Sequence, residues 1–251
     1  MEGKALDNVL VIGGAAGIGR EIALDFAKKG HQVAVADIDQ SALNTMIQQS
    51  SVEQNFHAFY VDVSSWESVS EMGRRVIEKL GHIHTLVFSA GITKRLRLEE
   101  VDWALWKKTM AINLYGLFFS IKVMSSYMME RKEGSIVIIG SGSAITGSGG
   151  GIQYYASKGG AFGLMRSLVK ELGSYGININ VIAPRVIQSQ MLDELYPTDE
   201  SKQAIMNEIP IGRLGKPSDI SGLVQYVSAK EAKYIHGQIL VLDGGRTYQG
   251  K

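Results

Sequence analysis

Short apolar runs rich in β-branched residues recur along this chain, and each is followed by a glycine-containing turn or by a stretch with helical spacing. Residues 9–12 (Val-Leu-Val-Ile) are apolar without a break and read as a buried strand, with a glycine turn and a helix over 17–29 behind them. Residues 32–36 form a second such run, ending at Asp37; 57–61 and 85–89 supply the third and fourth. Between those two, Val69, Met72, Val76 and Leu80 recur every three or four positions, the spacing of an amphipathic helix. A long helix is predicted over 103–129, a strand over 135–139, a helix over 153–173 and a strand over 177–181. A helix over 217–228 and a last strand over 238–242 close the pattern.

Strands apolar on both faces, joined by helical crossovers, belong in a parallel sheet covered on both sides. The predicted fold is therefore α/β: one doubly wound Rossmann-type domain over residues 1–251. No repeat and no shift in composition divides it.

Composition narrows the function. With 26 basic and 25 acidic residues the net charge is +1, so no charge excess points to nucleic acid or an anionic membrane surface. The absence of cysteine removes disulfides, thiolate metal sites and cysteine nucleophiles, and the scattered histidines form no metal motif. Acidic residues near the start and the lack of a long apolar run argue against a signal peptide or membrane span, and the chain reads as cytoplasmic.

Gly13, Gly17 and Gly19 fall between the first strand and the first helix. A turn free of Cβ atoms at a helix N-terminus lets a pyrophosphate approach the backbone, although such glycines can also form a plain strand-to-helix turn. Asp37 at the end of the second strand is placed to accept hydrogen bonds from an adenosine ribose diol. Its charge opposes a 2′-phosphate, and Ala15, Ala16 and Ile38 leave no cation there to receive one. NAD is favoured over NADP.

Tyr154 and Lys158 are four residues apart, so on a helix they share one face. An ammonium nearby favours a phenolate and makes tyrosine a candidate acid/base near neutral pH. Together with the glycine turn, Asp37, Asp62-Val63, Ala90-Gly91, Asn113, Ser141, Pro184, the segment 213–217 and the closing Leu242-Asp243-Gly244-Gly245, this order and spacing resembles the short-chain dehydrogenase/reductase family from about residue 7 to 247. The resemblance implies a seven-stranded sheet, usually in a homotetramer, and hydride transfer between an alcohol and a carbonyl.

It implies roles as well. Tyr154 would be the acid/base, and Lys158 would bind the nicotinamide ribose and lower the tyrosine pKa. Ser141, 13 positions before the tyrosine, would bind the substrate oxygen, with Ser143 as fallback, and Asn113 would hold a relay water. Gly13, Gly17, Ile18 and Gly19 would meet the pyrophosphate, Asp62 and Val63 the adenine. Ala90, Gly91, Pro184, Ile187 and Ser189 would complete the cofactor site, and residues 188–211 would form a substrate lid. No metal is implied.

Three departures from the family pattern stand out. Ile12 replaces a threonine, Phe88-Ser89 replace a pair of asparagines, and Arg185 replaces the glycine after Pro184. Ile12 and Phe88 exchange a polar contact for an apolar one. Arg185 could alter the chemistry. The loop after the fourth strand carries Lys94, Arg95 and Arg97, and Arg95, Arg97 and Arg185 are candidates for an anionic substrate; a solvated loop or a subunit contact is the alternative.

The leading expectation is an NAD-dependent enzyme acting on a small polar alcohol such as a polyol, sugar or sugar acid. The alternatives are an acyl-carrier 3-oxoacyl reductase and a non-catalytic cofactor-binding regulator.

Overall fold

The structure, a computed structural model, describes residues 7–248; the first six residues, part of the segment read above for a signal peptide, lie outside them. Seven strands form one sheet: β1 (Asn8–Ile12), β2 (Gln32–Asp37), β3 (Phe56–Tyr60), β4 (Thr85–Phe88), β5 (Gly134–Ile139), β6 (Ile177–Pro184) and β7 (Ile239–Leu242). All neighbours are parallel, in the order β3-β2-β1-β4-β5-β6-β7. The helices are α1 (Gly17–Lys28), α2 (Gln40–Gln48), α3 (Trp66–Leu80), α4 (Trp103–Met110), α5 (Gly116–Arg131), α6 (Ser143–Thr146), α7 (Ile152–Ser174), α8 (Gln190–Leu195), α9 (Asp199–Asn207) and α10 (Pro217–Ser228). This is the expected Rossmann-type α/β fold.

Side chains alternate across each strand, so every strand feeds two cores. Leu10, Ile12, Leu86, Phe88, Ile136 and Ile138 pack with Met72 and Val76 of α3, Leu117, Met124 and Met128 of α5, and Phe162 and Met165 of α7. Val9, Val11, Val33, Val35, Val87 and Val137 pack on the opposite face with Ile22 and Phe26 of α1, Leu43 and Met46 of α2, and Ile220 and Val224 of α10. Ile12 and Phe88 are register partners on adjacent strands, each almost wholly buried, so the two departures from the family pattern form one apolar contact.

Besides the short helices α6, α8 and α9, which no predicted element anticipates, two details differ from the expected layout. The helix predicted as unbroken over 103–129 widens into a π-helical turn at Ala111–Tyr115, where the Gly116 amide donates to the Ala111 carbonyl five residues back. Gly116 then packs against Val63, where a Cβ would come within 2.8 Å of that side chain. The short helix α2 has no counterpart in the expected pattern. It is capped by the Asp39 carboxylate, which accepts from the Ala42 amide, and it buries only Leu43 and Met46, too few to mark a period.

β1 and β4 diverge in the direction of their crossovers, which opens a crevice at the C-terminal ends of the strands, the usual ligand position in doubly wound sheets.

Candidate active site

A cavity of about 570 Å³ occupies that crevice, within the range of roughly 300–1,000 Å³ common for ligand pockets. Its lining runs from Asp37 and Ile38 at the end of β2, past the β1–α1 turn and β4, to residues after β6 and on α8. Asp37 and Pro184 lie four strand steps apart, about 19 Å at the usual inter-strand spacing. The site is thus an elongated trough.

At the β1–α1 turn, Gly13 has φ +81° and Gly17 φ +54°. A Cβ on Gly13 would come within 2.4 Å of the Ala90 backbone nitrogen, so this turn and the loop after β4 touch through backbone alone. Helix α1 has Ala16 as its N-cap and no side-chain cap. Its first amides therefore lack a side-chain acceptor where Gly17 and Ile18 line the trough, the arrangement that receives a phosphate. Gly19 faces inward, where a Cβ would come within 2.1 Å of the Gly13 carbonyl oxygen. Its contribution is to seat the helix against the turn.

Asp37 accepts from the Ala15 amide at 3.0 Å and from the Asp39 amide at 3.1 Å. Ala16 and Ile38 line the trough beside it, and the only basic residues in the lining among the described residues, Lys158, Arg185 and Arg246, come from the other end. Asp62, Val63, Ala90, Gly91, Pro184, Ile187 and Ser189 also line the trough. Ser189 caps α8, accepting from the Leu192 amide, and Ile187 pairs with Gly215 in an isolated bridge. These residues fit a dinucleotide: uncapped amides in the middle, a ribose acceptor at one end and a proton donor at the other.

The phenol at that end is Tyr154, whose O–H is able to donate. The tyrosine, Ser141 and Lys158 are buried at the bottom of the trough. Helix α7 places Lys158 one turn beyond Tyr154, with Nζ 5.8 Å from the phenol ring centre and donating to the Ile139 carbonyl at 2.8 Å. Burial pushes the Lys158 ammonium down to about 8. Burial also pushes the Tyr154 phenol up, and its hydrogen bond with Ser141 offsets part of that rise. The lowering expected from the lysine therefore does not prevail in the chain alone; burial does. Ser141 Oγ also accepts from the Ser143 amide, so the two serines belong to one turn.

Asn113, in the π-helical turn, is buried outside the lining. Its Oδ1 accepts from the Ile92 amide at 2.9 Å, and its Nδ2 donates to the Ile92 carbonyl and to Ser157. The side chain thus clamps the loop after β4 to α7.

The basic residues separate. Arg185 and Arg246 line the trough. Lys94, Arg95 and Arg97 are exposed and outside the lining, and Arg97 Nη1 lies 3.8 Å from Glu99. Gln153 is the reason: its Nε2 donates to the Lys94 carbonyl at 2.7 Å, so this loop turns its backbone inward and its cations outward. Sequence reasoning missed Ser148 and Arg246 in the lining, whereas Tyr196 falls in the expected lid 188–211 and Thr93 in the loop after β4. Arg246 carried a signal, since it follows directly on the closing Leu-Asp-Gly-Gly.

Comparison with known proteins agrees with this geometry. A family model described as enoyl-(acyl carrier protein) reductase matches residues 13–247. The 3-oxoacyl-[acyl-carrier-protein] reductase FabG of Thermotoga maritima is 31% identical, with 98% of each chain covered. The (2S)-[(R)-hydroxy(phenyl)methyl]succinyl-CoA dehydrogenase subunit BbsD of Thauera aromatica is 33% identical over 95% of each. The crystal structure of gox2181 superposes with a TM-score of 0.89 at 31% identity, covering 96% of both chains. The chain belongs to the short-chain dehydrogenase/reductase family, oxidoreductases that act on hydroxyl or carbonyl groups with an NAD(P) cofactor.

Proposed function

We propose that this protein is an NAD-dependent dehydrogenase that interconverts a secondary alcohol and a carbonyl on a small polar substrate, a polyol, sugar or sugar acid. The observation that carries the reading is a single trough with an unopposed carboxylate, Asp37, at one end and the buried Ser141–Tyr154–Lys158 cluster at the other.

The nicotinamide, when bound, supplies the hydride acceptor or donor. The chain's own residues handle the proton. Ser141 and Tyr154 converge on one oxygen; Tyr154 gives a proton to a carbonyl oxygen or takes one from an alcohol. With its pKa raised by burial, the resting phenol is protonated and ready for the reductive direction. Oxidation needs added positive charge near the phenol, from protonated Lys158 and the oxidised cofactor. Lys158 would also hold the nicotinamide ribose. Asn113 acts by fixing Ile92 and Ser157, and the widened helical turn that carries it is where a relay water would find a carbonyl. Residues 188–211, which contain α8 and α9, serve as the lid, and the chain works as one domain. Exposed Trp103 on α4, Tyr115 in the π-helical turn and Phe118 on α5, together with Tyr234, support subunit contacts in a homotetramer.

A second reading, reduction of the 3-ketone of an acyl-carrier thioester, is favoured by the names of several relatives. It is opposed by Asp37, if that reaction is to draw on NADPH. One screen separates the two: NAD or NADP reduction by polyols, sugars and sugar acids, against NADPH or NADH oxidation by the ketone of an acetoacetyl thioester. NAD turnover with a polar alcohol supports the proposal, and reduction of the acetoacetyl ketone alone overturns it.

A further inference from the structure

We infer that Arg185 and Arg246 form an oxyanion subsite beside the reacting oxygen, so that the substrate is an alcohol or ketone bearing a carboxylate or phosphate close to the carbinol carbon. The inference rests on the dehydrogenase reading of the same trough and adds to it a chemical class and a residue, Arg246.

Arg185 is only 7% exposed yet lines the trough. Both of its side-chain hydrogen bonds go to neutral hydroxyls, Nη2 to Ser148 Oγ at 2.9 Å and Nη1 to Thr247 Oγ1 at 3.1 Å, while Nε has no partner among the described residues. A buried guanidinium costs free energy unless its charge is matched, and hydroxyls do not match it. Arg246 faces the same space. It is held by Glu208 through Nη2, and its charge pushes against that of Arg185. Asp243 acts on Arg185 from a distance but is itself occupied, accepting from the Gly245 and Thr247 amides. Glu194 is the acid that α8 adds to the lining. Within the lining at this end, two guanidiniums and Lys158 thus stand with one lid carboxylate, while Glu208 and Asp243 act on the guanidiniums from outside it.

The backbone is arranged to hold Arg185 in place. A Cβ on Gly142 would come within 2.4 Å of the Arg185 Cγ, so the arginine stem crosses the chain where residue 142 has no side chain. The next residue, Val186, is held at φ +55°, a strained conformation that β-branched residues rarely adopt. Gly142 directly follows Ser141. The Arg185 stem thus runs beside the residue that follows Ser141, and arginine and serine line the same end of the trough, which suits a short hydroxy acid or a phosphorylated polyol. Planar guanidinium forks match the paired oxygens of either group.

The test measures binding without turnover. Protein saturated with NAD is titrated calorimetrically with malonate, with inorganic phosphate and with neutral malonamide, in the wild type, Arg246→Met, Arg185→Met and Arg185→Lys. Saturable binding of malonate or phosphate, but not of malonamide, is expected. Its affinity should fall roughly 10- to 100-fold in each Met variant, and it should weaken with added salt. The preferred anion tells carboxylate from phosphate. Should Arg185→Met fail to fold, the more exposed Arg246→Met and the charge-preserving Arg185→Lys decide: the first must lose affinity, the second must lose less than a Met exchange. Absent anion binding, or binding equal in wild type and Arg246→Met, overturns the subsite. NAD reduction by neutral polyols would survive that result, whereas anion binding with no alcohol turned over would leave the subsite and remove the dehydrogenase.

Discussion

Lys158 donates from Nζ to the carbonyl oxygen of Ile139 at 2.8 Å, at the bottom of the trough and almost wholly buried. One neutral acceptor does not replace the water this ammonium gives up, which is why its pKa falls to about 8.

The cofactor-free protein should therefore be less stable because of its own lysine. A base with its folded pKa lowered is penalised fully below the folded value, and the penalty fades as pH rises toward the unfolded value. A drop from 10.5 to about 8 corresponds to about 3 kcal/mol at neutral pH and about 1 kcal/mol near pH 10. Loss of the bond to Ile139 subtracts a constant amount from any gain. Denaturant unfolding of wild type and Lys158→Met at the two pH values should thus show the variant's relative stability higher at pH 7 than at pH 10. A difference independent of pH would mean that the lysine is not strained by burial.

Coenzyme choice should depend on Asp37. Asp37→Asn keeps an acceptor for the Ala15 amide and removes the charge. Affinity for NAD should fall roughly 10- to 100-fold, as for loss of charge-assisted hydrogen bonds, with a smaller loss or a gain for NADP. Fluorescence titration with both reduced cofactors measures this. An unmodified protein that already prefers NADP contradicts the assignment.

Gly13 should tolerate no side chain. With φ +81° and the Ala90 amide nitrogen 2.4 Å from a Cβ, Gly13→Ala should separate the β1–α1 turn from the loop after β4. Cofactor affinity should drop well beyond the loss of stability, which we expect to be at least about 1–3 kcal/mol. Equal cofactor affinity in the folded variant would show that the two loops need not touch.

Much of this architecture is legible in the chain because the sheet is buried on both faces. Val9–Val11 and Val33–Val35 have to be apolar without alternation, and the spacing of Val69, Met72 and Val76 marks α3 as an amphipathic cover. The pieces that escaped notice carry little pattern. α2 buries two side chains, and the π-helical turn at 111–115 follows from how Gly116 seats on Val63. Arg95 and Arg97 stand next to pocket residues in the sequence, but Gln153 anchors their backbone and turns them to solvent. Arg246 lies far from Arg185 in sequence, and only the β6–β7 pairing brings the two together.

The most direct measurement is the rate of hydride transfer in Tyr154→Phe. This exchange keeps the ring and removes the acid/base oxygen. The account predicts that the folded variant still binds NAD, while NAD reduction by the best alcohol from the screen falls by at least about 10²–10⁴-fold at saturating cofactor. Near-normal turnover by Tyr154→Phe, at wild-type cofactor occupancy, would contradict it and remove Tyr154 from the chemistry.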